Sequence, residues 1–266
     1  MIRSRSIAVA QTCPVKGDVL SNLDEHVQLA RLAANEGAAV VLFPELSLTG
    51  YELADAANLA FSESDPRLGP LLDVAVSHGM VLVVGAPVRI GSSFHIGAFI
   101  LFPNQTIELY TKHYLGAFPP SAICDSCDGI VPPAEATSFQ PGDHDPLIHF
   151  GGNIAAVAIC ADIGRPAHAQ RASNRNADTY LASMFVIPSD FEGVVSKLSH
   201  YAVQHRMMTA FANFGGPSGG LRSAGRSAIW SETGELLVQL ETNGPGVAVV
   251  TETPEGRRTR AVAVVG

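Results

Sequence analysis

The chain has 266 residues, 47% of them hydrophobic and only 16% charged, which is enough apolar material for one large buried core. A net charge of −8 argues against a nucleic-acid-binding surface. No apolar run approaches the ~20 residues of a membrane span, so neither nucleic acid nor a membrane is an expected partner.

An apolar surplus of this kind fits a subunit interface and points to a homodimer or higher homo-oligomer. The four cysteines, Cys13, Cys124, Cys127 and Cys160, are too few for a disulfide framework in a chain this long. They fit a reduced, cytoplasmic protein.

Apolar runs rich in Val and Ile alternate with helical patterns along the chain. Residues 6–11 predict a strand, and Gln11 and Thr12 break the apolar stretch in a way a signal peptide would not. Residues 21–36 predict a helix with Leu23, Val27, Ala30 and Ala34 on one face, Ser21 as N-cap and Gly37 as the stop. Residues 38–43 predict a strand buried on both faces, 66–78 a helix closed by Gly79, and 80–86 a strand. Residues 94–102 and 106–111 predict a hairpin across Pro103 and Asn104. Residues 113–146 are rich in Pro, Gly, Ser and Asp and predict a long loop; such a loop inside a compact domain is usually functional or mobile. Residues 154–160 predict a strand, 166–176 a helix, 179–183 a strand and 193–213 a long helix. Strands at 223–230, 235–240 and 246–251 follow, with a β-prone tail at 257–266. No repeat or linker interrupts this order, so residues 1–266 read as one α/β domain of layered, buried sheets.

Three polar residues stand just past strand-like runs: Glu45, Lys112 and Cys160. In open α/β sheets, ligands bind beyond the carboxyl ends of the strands. Cys160 precedes a helical stretch, and a thiol beside a helix N-terminus is favoured as thiolate by the dipole and the free N–H groups. Together these are the parts needed for acyl transfer through a thioester. Cys160 would attack an amide or nitrile carbon. Glu45 would take the thiol proton, pass it to the leaving amine, and then activate water. Lys112 would stay cationic and, with the backbone N–H of Ala161, stabilise the oxyanion. Taken singly, each residue has a plainer reading: a core thiol, a capping glutamate, a solvated edge lysine.

Taken together they carry a resemblance. Phe43-Pro44-Glu45-Leu46-Ser47-Leu48-Thr49-Gly50-Tyr51, Tyr110-Thr111-Lys112-His113-Tyr114-Leu115 and Ala158-Ile159-Cys160-Ala161-Asp162 resemble the three signature segments of the nitrilase superfamily, the carbon–nitrogen hydrolases. Glu135-Ala136-Thr137-Ser138-Phe139-Gln140-Pro141-Gly142 resembles the segment that holds a second glutamate. Asn176-Ala177-Asp178, Ala212-Asn213 and Gly225-Arg226-Ser227-Ala228-Ile229 resemble three further stretches, and the likeness runs over about residues 5 to 251. The resemblance implies a four-layer α-β-β-α sandwich. It also implies subunits paired through the helix after Cys160 and the helix at 193–213, giving an eight-layer dimer. Glu45 would be the general base, Lys112 the oxyanion stabiliser, Cys160 the nucleophile and Glu135 the second glutamate, with no metal or organic cofactor. Two positions depart from the pattern: Ala161 stands where relatives often carry an aromatic residue, and Ala167 where they often carry Glu.

The implied activity is hydrolysis of a small linear amide to a carboxylic acid and ammonia. ω-Amidase, N-carbamoyl hydrolase and nitrilase action are variants of the same chemistry. A non-catalytic binding protein on this scaffold would be expected to have lost one of Glu45, Lys112 or Cys160, and all three are present. Tyr51, Ala161, Met184, Phe185 and Phe191 are the expected pocket lining, and Arg165 or Arg171 the candidates to meet a substrate carboxylate. Cys124 and Cys127 form a C-x-x-C with no second pair, which reads as loop cysteines rather than a zinc or redox site.

Overall fold

The computed structural model describes residues 5–253 and 256–264. β1 (Arg5–Gln11) is the expected first strand; residues 1–4 lie outside the described residues. α1 (Val19–Asn35) begins earlier than its periodicity implies. Asp18, not Ser21, is the N-cap, and its carboxylate accepts the Ser21 N–H at 3.1 Å. Gly37, at φ +83, follows the last turn, as glycine readily does. β2 (Val40–Leu42), the one-turn α2 (Ala56–Leu59) and α3 (Gly69–His78) come next.

β3 (Val81–Ile90) runs four residues past the expected end at Ala86, because Pro87 and Val88 pair with Ile96 and His95 of β4 (Ser93–Leu101). β5 (Ile107–Thr111) completes the second hairpin. Residues 113–146 contain no strand, only short 3₁₀ turns at Pro120–Asp125 and Glu135–Thr137. β6 (Leu147–Phe150), which its sequence does not announce, turns through Gly151 and Gly152 into β7 (Asn153–Ile159). α4 (Pro166–Asn174) and β8 (Thr179–Ser183) agree with expectation.

The helix expected at 193–213 is corrected. α5 (Phe191–His205) ends where Arg206 turns left-handed at φ +53, and β9 (Met208–Ala212) is a fully buried strand between its neighbours. A short apolar run beside a helix has no periodicity of its own. Pairing on both sides decides its state, and any subunit contact through this helix can use only residues up to His205. β10 (Ala228–Trp230) keeps three residues of the strand expected at 223–230. β11 (Leu236–Gln239), β12 (Gly246–Thr253) and β13 (Gly256–Ala263) close the chain, with residues 265–266 outside the described residues.

One sheet has the order β13-β12-β1-β2-β3-β4-β5, the other β11-β10-β9-β8-β7-β6. β1, β2 and β3 are parallel, as are β7, β8 and β9. Alternation along each strand sends side chains to opposite faces. Val40 and Leu42 of β2 pack between the sheets with Val157 and Leu181, while Val41 faces outward to Leu29 of α1 and Leu71 of α3. On the far side Tyr180 and Phe211 meet Ala169 of α4 and Leu198 of α5. The result is an α-β-β-α sandwich. Burial of each large aliphatic side chain contributes roughly 1.5–3 kcal/mol. Among the described residues no helix is long and apolar enough to cross a membrane.

Candidate active site

The ends of β2, β5 and β7 bring Glu45, Lys112 and Cys160 to one place between the sheets. Glu45 follows β2 on a turn in which Leu46 takes φ +53. That turn lies directly on Gly85 of β3. A Cβ there would sit 2.4 Å from the Pro44 carbonyl oxygen and 2.5 Å from the Leu46 nitrogen, so only glycine lets the Glu45 turn come this close. Beneath the turn, His26 of α1 stacks on Phe43 and hydrogen-bonds Ser47 Oγ at 2.8 Å.

Lys112 has no solvent exposure, and its Nζ donates to Glu45 Oε1 and to Glu135 Oε1, each at 2.6 Å. Glu135 rides on the long 113–146 segment, which is therefore tied to the site. Its Oε1 also accepts from Tyr51 Oη at 2.7 Å, and its Oε2 accepts the Gly116 N–H at 2.7 Å. Gly142, near the end of the segment, is pressed so close to Thr111 that a Cβ would fall 2.0 Å from its Oγ1. Cys160 is a strained elbow at φ +43, just after β7. Its Sγ reaches the Phe185 carbonyl at 3.9 Å.

The electrostatics follow from burial. Desolvation raises Glu45 to about 7 against the pull of Lys112, and Glu135 adds to the rise. Burial alone would lower Lys112; Glu45, Cys160 and Glu135 override it and hold the ammonium well above its ordinary value. Burial, then Glu45, pushes the Cys160 thiol well up, with Lys112 opposing. This corrects the expectation of a helix-stabilised thiolate. The elbow leads into a short 3₁₀ turn, Cys160–Gly164, and burial beside a carboxylate outweighs that turn's dipole. The thiol rests protonated next to a carboxylate whose Oε2 has no hydrogen-bond partner among the described residues.

Asp162, two residues past the nucleophile candidate, joins the elbow to the lysine segment. Its Oδ2 accepts from Ile159 N–H at 2.9 Å and from Tyr110 Oη at 2.7 Å. Its Oδ1 accepts from His113 N–H at 3.1 Å and Tyr114 N–H at 2.9 Å. With Tyr110 donating to Asp162, its oxygen accepts from His168 Nε2 at 2.8 Å, which leaves His168 Nδ1 to accept from Tyr180 Oη. Burial, then Arg171, lowers His168 to about 4, in keeping with a neutral ring. Asp162→Asn keeps one accepting oxygen and turns an NH₂ toward two buried donors. The expected loss is roughly 2–4 kcal/mol of stability, with kcat lowered more than KM raised. Denaturant melts and steady-state kinetics read both; an unchanged kcat would remove the positioning role.

A pocket of about 200 Å³ opens over Cys160, lined by Tyr51, Ala161, Met184, Phe185 and Val186 among others. Phe191, expected in the lining, is not there: it is buried beneath α5 against Phe211, with Arg226 over its ring. Neither expected arginine lines the pocket. Arg165 lies over Tyr114, and Arg171 is held by Asp145 and His113. Lys197 and Asp190 line it instead. The Val186 wall is hung on Asn213, whose side chain accepts the Val186 N–H at 2.9 Å and donates to the Gly225 carbonyl at 3.1 Å. Cys124 and Cys127 are exposed free thiols, and among the described residues no group of three or more His, Cys, Asp or Glu is placed to hold a metal.

The family model of the carbon–nitrogen hydrolases matches residues 6–260. The chain belongs to the carbon–nitrogen hydrolase family. Solved structures place it with the amidases of the nitrilase superfamily. An amidase from Nesterenkonia sp. superposes on the hydrolase with a TM-score of 0.77 at 26% identity, covering 93% of this chain and 89% of that one. A double variant of that amidase, in complex with acrylamide, gives 0.79 at 25% identity, covering 94% and 91%. Another variant carries the acetamide moiety of fluoroacetamide on its active-site cysteine. Among curated proteins, the hydrolase is 26% identical over 246 residues to a glutamine-dependent NAD(+) synthetase of Acinetobacter baylyi, covering 90% of this chain and 42% of that protein. It is 32% identical over 250 residues to the one of Mycobacterium tuberculosis, covering 87% and 36%. The chain spans less than half the length of these curated relatives.

Proposed function

We propose that the hydrolase cleaves the C–N bond of a small linear amide through a thioester on Cys160, releasing ammonia and a carboxylic acid. The observation that carries this is the buried Lys112 held between Glu45 and Glu135, beside a protonated thiol at the floor of a mostly apolar pocket. Glu45 takes the Sγ proton as sulfur attacks the amide carbon. The carbonyl oxygen becomes an oxyanion facing Lys112 Nζ and the Ala161 N–H. Glu45 returns the proton to the amide nitrogen, the C–N bond breaks and ammonia leaves. A water then gives its proton to Glu45 and attacks the thioester; the C–S bond breaks, the proton returns to sulfur, and the acid departs. Glu135 touches no reacting atom in this scheme. It orients Lys112 and supplies the second negative charge that keeps it an ammonium.

Ammonia release from short amides, dicarboxylate monoamides, N-carbamoyl amino acids and nitriles, with Cys160→Ala as control, tests the reaction and ranks the substrates. Release by the variant, or none by the folded wild type, would overturn it. The base works ionised, and burial raises Glu45 to about 7. The acid limb of kcat/KM is therefore expected near neutrality, with activity falling as pH drops through that range, rather than near the ordinary carboxylate value of about 4.3. A pH–rate profile flat down to pH 5 would exclude Glu45 as the titrating base.

A further inference from the structure

The pocket has a charged rim that the hydrolytic scheme does not use. Its floor is Cys160 and Glu135, its aromatic side is Tyr51, Phe118 and Phe185, and its other side is a stripe of α5. Asp190 at the helix N-cap, Val194 and Lys197 recur at the four- and three-residue spacing that puts them on one helix face. The sequence has three lysines. Lys16 pairs with Glu52 on the surface, and Lys112 is locked between two carboxylates. Lys197 is half-buried, lines the same cavity as the nucleophile, and makes no ion pair among the described residues. Met184, Val186 and Val194 offer apolar walls and no hydrogen-bonding side chain between rim and floor.

We propose that Lys197 is the specificity-determining residue of this site, and that the substrate is a linear ω-amide whose far end is a carboxylate. The proposal rests on the amidase reading above. The methylenes would lie along Phe185, Val186 and Val194, with the amide carbon at Cys160 and the carboxylate at Lys197. A partly desolvated ammonium gains most from an anionic partner, and its bond to carboxylate is of the strong, charge-assisted kind. Asp190, two turns earlier on the same face, is exposed; it disfavours a second anionic group there and would tolerate an ammonium beside the carboxylate.

The test compares two substrates of equal chain length, the monoamide of glutaric acid and pentanamide, by steady-state ammonia release. Wild type is expected to favour the charged amide in kcat/KM by roughly 10- to 100-fold, the range of one charge-assisted hydrogen bond. Most of the difference should lie in KM, and it should shrink as salt rises. Lys197→Met is expected to erase at least a tenfold share of that ratio, and Lys197→Arg to restore part of it. Equal use of the two amides by wild type, or a ratio that survives Lys197→Met, overturns the proposal while pentanamide turnover leaves the amidase reading standing. No turnover of either amide by folded wild type would sink the parent reading instead. Should Lys197→Met fail to fold, inhibition of wild type by glutarate against valerate decides. Stronger inhibition by glutarate supports the proposal, and equal inhibition overturns it.

Discussion

Cys160→Ala is expected to abolish ammonia release from every amide the wild type accepts, with a loss of at least about 10⁵-fold in kcat. In the proposed scheme the sulfur carries the acyl chain and Glu45 serves it, so the variant keeps the base but loses the nucleophile. The structural cost is small. Sγ reaches the Phe185 carbonyl at 3.9 Å and lines the cavity, while the residue packs at the margin of two core clusters. The variant should therefore melt within about 2 kcal/mol of wild type, since only one small atom is lost from a partly packed site. Intact-mass measurement after incubation with fluoroacetamide adds a second readout: an adduct on wild type and none on the variant. Turnover by Cys160→Ala above about one per cent of wild type would show that the thioester is not on the main path.

Lys112→Met has the second large effect, and here stability and catalysis fall together. Lys112 Nζ is the hydrogen-bond partner of Glu45 and the charge partner of Glu135, with all three side chains shut off from solvent. Removing the ammonium leaves two buried carboxylates facing each other, and breaking such a pair costs about 3–5 kcal/mol. Loss of one oxyanion donor takes a further 10²–10³ from kcat. The stability deficit has a sign with pH. Burial already raises Glu45 above its unfolded value against the pull of Lys112, and losing the ammonium removes that opposition, so protonation of Glu45 favours the fold and the variant's deficit shrinks as pH falls below neutrality. Denaturant melts of both proteins at pH 5 and pH 8 measure this. A deficit that grows toward pH 5, or a kcat close to wild type, would show that Lys112 is not the charge that holds this site together.

Much of the site is legible in the chain because its chemistry sits in short contiguous segments. Glu45, Lys112, Glu135 and Cys160 each occupy a recognisable run, and the first, second and fourth each follow a strand of the expected kind. What could not be read was side-chain pairing across distant segments. Tyr51 is visible as a pocket residue but not as the donor to Glu135, 84 positions away. Asp162 stands in plain view two residues after the nucleophile, yet its four donors come from β7, β5 and the segment after it. Phe191 and Lys197 lie on one helix, and the rotation of α5 alone determines that the lysine lines the pocket while the phenylalanine packs beneath.

The same division holds for the fold. Long periodic runs such as 19–35 and 69–78, and isolated apolar runs such as 38–43, carry their state in local hydrophobic period and capping chemistry, so the α/β layering was determined by sequence alone. β9 and β6 were decided by tertiary structure. Five mostly apolar residues behind a helix, and four more behind a loop, satisfy their backbone groups only when a neighbouring strand is present to pair with them. The thiol's protonation belongs to the same class. Cysteine at a strand end reads as an activated thiolate, but the thiol's own burial, and then the charge of Glu45 brought beside it by the close approach of the Pro44–Leu46 turn to Gly85, make the protonated thiol the resting form. Local sequence sets which groups are present and what shape each segment prefers; desolvation and charge at the site depend on which segments fold against one another.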